Sequence, residues 1–138
     1  SSDRGSEFGH LFDVDTALTY LGWYVDQSLL GMRVFDVMRA VEYAFTRGDV
    51  KRLEAVGRGA GALWTMMAAV FEPRIQALRA ERMLASYRLL AESDRYAHGA
   101  SSMIKDVLMH GDLPQIAALA TGCKITMVEP VDAMKRRV

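Results

Sequence analysis

Two similar connectors decide the fold that this sequence predicts: Phe45-Thr46-Arg47-Gly48-Asp49-Val50 and Met109-His110-Gly111-Asp112-Leu113. In each one an apolar run at helical spacing reaches a basic residue, then Gly, then Asp, and a new apolar run follows. Gly ends helices in the left-handed conformation because it has no Cβ. Asp accepts hydrogen bonds from the N–H groups that open the next helix. The connectors therefore predict helices that stop and restart within a few residues.

The apolar spacing outside the connectors favours further helices. Apolar residues recur every three or four positions from Val14 to Phe45, from Val50 to Phe71, from Ala80 to Ala91 and from Leu113 to Leu119. Residues 123–128 alternate enough for a short extended segment, which cannot form a sheet alone. We therefore expect an all-α fold, a compact bundle of five or six helices joined by short Gly-Asp connectors.

Composition limits the classes of function. The 138 residues are 51% hydrophobic, so residues 9–138 are expected to form a single helical domain. Residues 1–8 end in Gly-Ser-Glu-Phe, which resembles the remnant of a cloning site. Lys+Arg and Asp+Glu are both 17, which argues against strong electrostatic attraction to nucleic acid or an anionic membrane. A single cysteine and no run of 18 apolar residues suggest a cytoplasmic protein without a membrane span.

The stretch Gly57-Arg58-Gly59-Ala60-Gly61-Ala62 superficially matches a dinucleotide-binding turn, G-x-G-x-x-A. That motif needs a strand before it, so that loop amides and a helix N-terminus meet a phosphate. The periodicity instead predicts helix over residues 49–55, and no nucleophile elbow is visible. We therefore interpret the stretch as the small-residue face of a helix that a neighbouring helix approaches closely.

No other set of residues predicts catalysis. Asp94 and His98, like Asp106 and His110, are spaced so that each pair shares a helix face, but a metal motif is missing. Cys123 follows a predicted helix C-terminus, where the helix dipole disfavours a thiolate, so it is expected to be a packed thiol. We predict no metal, no cofactor and no enzymatic activity.

The aromatic N-terminal region is the better indication of function. Within residues 14–45, apolar side chains occupy more than one face of the predicted helices, and each face needs cover. The sequence therefore predicts a non-catalytic protein-interaction or adaptor module, with a homodimer as the leading form. The expected interface residues are Tyr20, Trp23, Tyr24 and Met38.

Two alternatives remain open at this point. The segment 113–137 fits the template of a helix-turn-helix in a small DNA-binding regulator. Its candidate DNA contacts are Lys124, Thr126, Lys135, Arg136 and Arg137. The second alternative is an apolar ligand pocket inside the bundle, lined by Trp64, Met67 and Phe71.

Overall fold

A computed structural model describes residues 29–95, 97–99, 102–103, 108 and 111–138. The helices and strands of this part are α1 (Leu29–Phe45), β1 (Leu53–Arg58), α2 (Ala60–Phe71), β2 (Ile75–Glu81), α3 (Tyr87–Ala91), α4 (Leu113–Leu119) and β3 (Lys124–Val128). None of the described helices combines the length and the apolarity needed to cross a membrane.

The three strands form a parallel sheet in the order β1-β2-β3. Ala55 lies opposite Leu78, which lies opposite Ile125, and Gly57 lies opposite Ala80 in the same way. The expected all-α bundle is therefore wrong, and the chain has an α/β fold.

Strand β1 shows why the helical prediction failed. Val50, Leu53 and Val56 have helical spacing, but Val56 is 72% exposed. Leu53, Ala55 and Gly57 are the less exposed positions, and they alternate with exposed ones. This period of two is that of a strand with one covered face. Because two of these inward positions are Ala and Gly, the hydrophobic signal of the strand is weak.

Strand β2 was hidden for a different reason. The predicted helical stripe from Ala80 to Ala91 is divided in the structure, with Ala80 in β2 and only Tyr87–Ala91 helical. Short buried strands of parallel sheets resemble buried helix segments in sequence. The expected extended segment at residues 123–128 is confirmed as β3, although it joins a sheet that was not foreseen.

Helix α2 packs on one face of the sheet, here called the inner face. Helix α2 contacts β1 and β2, and α1 and α4 contact α2. The core lies between these elements, and its fully buried side chains include Leu30, Leu63, Met66, Met67, Ile75 and Leu78. The opposite, outer face carries mostly exposed residues, namely Glu54, Val56, Arg58, Arg79, Lys124 and Thr126.

A partly buried ion pair fixes the end of α1 against the link between α2 and β2. Arg74 donates from Nε to Oε1 of Glu72 at 2.8 Å and from a terminal nitrogen to Oε2 at 2.9 Å. The Arg74 guanidinium also lies over the Phe45 ring, 5.0 Å from its centre. The hydrogen bond from Arg74 lowers the pKa of Glu72 despite its burial.

The two connectors have different outcomes. Gly48 has φ 76° and lies three residues after Phe45, where α1 ends, so the predicted helix stop before Asp49 is confirmed. Asp49, however, pairs with Arg47 and precedes a strand, so the predicted helix start there is wrong. Asp112 does cap α4, and Gln115 completes a capping box as the sequence predicts.

Asp112 also accepts hydrogen bonds from the N-terminus of a second helix, α3. Its carboxylate accepts hydrogen bonds from the backbone N–H of Leu113 at 2.7 Å, of Tyr87 at 2.6 Å and of Arg88 at 3.2 Å, and from the Ser86 hydroxyl. Burial of the carboxylate opposes ionisation, but the hydrogen bonds outweigh it and lower the pKa of Asp112. One side chain therefore stabilises the N-termini of both α3 and α4.

We predict that Asp112→Ala lowers the free energy of unfolding by about 2 to 4 kcal/mol, because partly buried N–H groups at the start of α3 and α4 lose their acceptor. The matched control is Asp49→Ala in the exposed connector, which should change stability by less than about 0.5 kcal/mol. Urea unfolding followed by circular dichroism measures both. Equal losses in the two variants would contradict the capping role.

The pH dependence of this contribution has a definite sign. Because the pKa of folded Asp112 is lowered, its stabilisation is fully present above the unfolded pKa of about 3.9 and is lost as the pH falls through the folded value. The stability difference between the wild type and Asp112→Asn should therefore shrink on acidification below about pH 4. Urea midpoints at pH 7 and pH 3 check this.

Candidate functional site

The carboxyl ends of the three strands meet at one edge of the sheet. A left-handed residue follows each strand directly: Gly59 with φ 56°, Arg82 with φ 51° and Glu129 with φ 48°. Non-glycine residues rarely adopt this conformation, and such residues concentrate at functional sites. Ligands of open parallel α/β sheets bind outside the carboxyl ends of the strands. This edge is therefore the candidate functional site.

Gly59 forms a sharp turn between β1 and α2. It has φ 56° and ψ −126°, and its N–H donates to the carbonyl of Glu81 at 2.8 Å. A Cβ on Gly57 would lie 2.5 Å from Cα of Ala62, so strand and helix touch backbone to backbone here. The expectation that residues 57–62 form a helix face is wrong, because residues 53–58 are a strand.

This strand–turn–helix has the local geometry of a nucleophile elbow. In α/β-hydrolases the motif G-x-S-x-G places its serine on such a strained turn at the top of the sheet. The corresponding residues are Gly57-Arg58-Gly59-Ala60-Gly61, so the nucleophile position is occupied by Gly59. The turn therefore presents backbone and no reactive side chain. The signal in the sequence was the triple-glycine pattern, which lacked the serine that identifies the motif.

The dinucleotide-binding motif requires a preceding strand, and β1 is such a strand. Gly57, Gly59 and Ala62 now lie in a β-α-β unit, and Glu81 ends the second strand, where an acidic residue would meet a ribose. Glu81 is paired with Arg79 at 2.8 Å, however. The described strands also run in the order β1-β2-β3 without the reversal that creates a dinucleotide crevice. The elbow comparison therefore accounts for more of the geometry.

A turn at residues 132–136, here called the C-terminal turn, is hydrogen-bonded to Arg82 at this edge. Arg82 donates from its backbone N–H to the carbonyl of Val128 and from its guanidinium to the carbonyl of Lys135, both at 2.8 Å. The Asp132 carboxylate accepts from the N–H groups of Arg136 at 2.8 Å and Met134 at 2.9 Å, and from the Arg136 side chain at 3.1 Å. These bonds, led by the Arg136 N–H, lower the pKa of Asp132, and they hold its carboxylate within its own turn.

The residues predicted to contact DNA do not form a helix-turn-helix. Lys124 and Thr126 lie in β3, at the place where the template requires a second helix. Arg136 pairs with Asp132 at 3.1 Å, and Arg137 lies 3.6 Å from Glu129. Lys135 is exposed in the C-terminal turn.

The three residues predicted to line an apolar pocket do lie on one side of α2. Met67 is fully buried in the core, and Trp64 and Phe71 are half-buried against it. The Arg33 guanidinium lies 5.7 Å from the centre of the Trp64 ring. Binding of an apolar ligand there stays a prediction.

The other candidate residues occupy structural positions where the structure describes them. Cys123 is half-buried, and burial raises the pKa of its thiol. His98 Nε2 lies 2.8 Å from the carbonyl of Asp132. Asp106 and His110 lie outside the described residues. Within the described ranges, no three His, Cys, Asp or Glu side chains converge as metal ligands.

The structure describes only one of the four predicted interface residues. Tyr20, Trp23 and Tyr24 lie outside the described residues, and Met38 is half-buried against the core. Large apolar side chains are instead exposed on the opposite side of α1, where Met32 is 65%, Phe35 44% and Tyr43 76% exposed. Sequence periodicity could have revealed these three residues, since they share one helix face.

Comparison of this chain with protein-family models, curated proteins and solved structures found no match.

The close approach of β1 and α2 is testable by adding one methyl group. Gly57→Ala should lower the free energy of unfolding by about 2 to 3 kcal/mol, because the methyl group would collide with the backbone of Ala62. Gly61→Ala is the matched control. No atom lies within 4 Å of its added Cβ, so we expect a gain of about 0.5 to 1 kcal/mol. Urea unfolding distinguishes the two, and equal effects would contradict the geometry.

Proposed function

We propose that this protein is a non-catalytic interaction module that self-associates through residues 14–45. The observation that carries the proposal is the outer side of α1, which exposes Met32, Phe35 and Tyr43 while Leu30, Val34 and Val41 are buried on its other side. When a helix has apolar residues on opposite sides and the core buries only one of them, the other side is suited to contact with a partner.

The geometry at Gly59 supports the non-catalytic part of the proposal. The turn that would position a nucleophile carries no side chain, while its backbone conformation is the strained one that such a turn needs. In a hydrolase triad the acidic residue follows the nucleophile along the chain, as Asp132 follows Gly59. The Asp132 carboxylate, however, accepts hydrogen bonds from Met134 and Arg136 of its own turn. The fold then serves as a rigid support for binding. We also propose a cytoplasmic location, because a chain with a single cysteine fits a reducing compartment.

Self-association should appear as a change of molar mass with concentration. A 17-residue helix is only about 25 Å long, which is short for a contact of the standard size of roughly 800 Å² per partner, so we expect a reversible dimer. Light scattering over a hundredfold range of concentration should show mass rising from 15.3 kDa toward twice that value. Mass that stays at the monomer value throughout would contradict the proposal.

A matched pair of variants locates the interface. Met32→Glu should raise the dissociation constant about tenfold or more, because it places a charge in the apolar contact. Val56→Glu makes the same type of change at a side chain that is 72% exposed on the outer face of the sheet, and it should leave association unchanged. An effect confined to Val56→Glu would place the interface on the sheet instead.

The non-catalytic part is tested separately with p-nitrophenyl esters and a fluorophosphonate probe. We expect neither ester hydrolysis nor covalent labelling above a mock preparation. Hydrolysis that co-elutes with the protein through two purification steps would overturn this part and leave the self-association unaffected.

A further inference from the structure

The exposed side of α1 carries a repeating seam. Its residues recur at alternating intervals of three and four, the spacing of a coiled-coil contact line. They are Leu29, Met32, Asp36, Arg39 and Tyr43 within α1, and Thr46 directly after it. All six are exposed, and the seam lies opposite the buried residues Leu30, Val34 and Val41. The seam therefore has the form of a helix-pairing surface with two charges at its centre.

The order of residues along this seam is self-complementary when the helix direction is reversed. If a two-fold axis passes between positions 37 and 38, Asp36 lies opposite Arg39 of the second copy, and Arg39 lies opposite its Asp36. Met32 then lies opposite Tyr43, and Leu29 lies opposite Thr46. Each charge meets its opposite, and each large apolar side chain of the inner layers meets another.

Parallel pairing of two copies gives the reverse result. Each residue would then lie opposite its own equivalent, so Asp36 would face Asp36 and Arg39 would face Arg39. Like charges juxtaposed in an interface are unfavourable. The charges therefore select the antiparallel arrangement.

We infer that two copies of this chain pair through antiparallel α1 helices, with two reciprocal Asp36–Arg39 contacts at the centre of the interface. The inference rests on the proposed function, since it names the partner and the geometry of the same surface. Within the described part of the chain, Asp36 lies 3.5 Å from Arg33 in an exposed ion pair. Loss of that exposed contact on pairing therefore costs little.

Charge reversal tests the pairing. Asp36→Arg alone and Arg39→Asp alone should each raise the dissociation constant roughly tenfold or more, because each creates two like-charge contacts in the dimer. The double variant Asp36→Arg/Arg39→Asp should restore it to within about threefold of wild type. An equimolar mixture of the two single variants should also associate, because both contacts are then complementary. Light scattering or analytical ultracentrifugation measures all four samples.

The outcomes separate this inference from the proposed function. If the wild-type protein stays monomeric, both this inference and the proposed self-association are wrong. A wild type that dimerises but ignores the charge reversals, or a double variant that stays weak, overturns the antiparallel α1 pairing and leaves association to another part of residues 14–45. Because both side chains are exposed, unchanged circular dichroism and melting temperature, measured at a concentration where the wild type is monomeric, serve as the folding control.

Cross-linking checks the direction of pairing independently. Met32→Cys and Tyr43→Cys are made separately in a Cys123→Ala background and treated with a short thiol cross-linker. Antiparallel pairing predicts cross-linked dimers only when the two variants are mixed. Cross-linking within each variant alone would indicate parallel helices and overturn the inference.

Discussion

The contact between β1 and α2 at Gly57 is the constraint on which the rest of the structure depends. Strand and helix approach so closely that a methyl group at Gly57 would lie 2.5 Å from Cα of Ala62. The chain reverses within one left-handed residue, Gly59, and α2 then lies directly on β1 and β2. Once α2 is fixed there, α1 and α4 pack against it and the core closes on one side of the sheet.

The same glycines explain why the sequence misled the fold prediction. Local signals were sufficient where one residue decides a conformation, as at the Gly48 helix stop, the Asp112 capping box and the extended segment before Glu129. They failed for β1 and β2, because strand identity there depends on pairing between distant segments. Ala55 and Gly57 contribute little hydrophobic signal, since their small size serves contact with α2. Tertiary packing thus overrode a helical spacing that involved only Val50, Leu53 and Val56.

The candidate site was hidden for a related reason. The pattern Gly57-x-Gly59-x-Gly61 has meaning only after a strand, and the strand was not predicted. The left-handed residues Arg82 and Glu129 give no sequence signal at all, because neither residue type favours that conformation. Their common place after β2 and β3 follows from the parallel arrangement alone. In the N-terminal region α1 does expose apolar side chains, but on the side opposite Met38, and the interface itself stays a prediction.

The two exposed surfaces of the described fold differ in how well they suit water, and this difference favours α1 as the binding surface. Parallel sheets usually have both faces covered, whereas the outer face here is open within the described residues. That face is nevertheless suited to solvent, because ion pairs Arg52–Glu54 and Arg79–Glu81 lie along its strands. On the outer side of α1, by contrast, Met32 and Tyr43 leave large apolar areas exposed around two opposite charges. In the proposed dimer, burial of those areas removes apolar surface from water, and the charges set the direction of pairing.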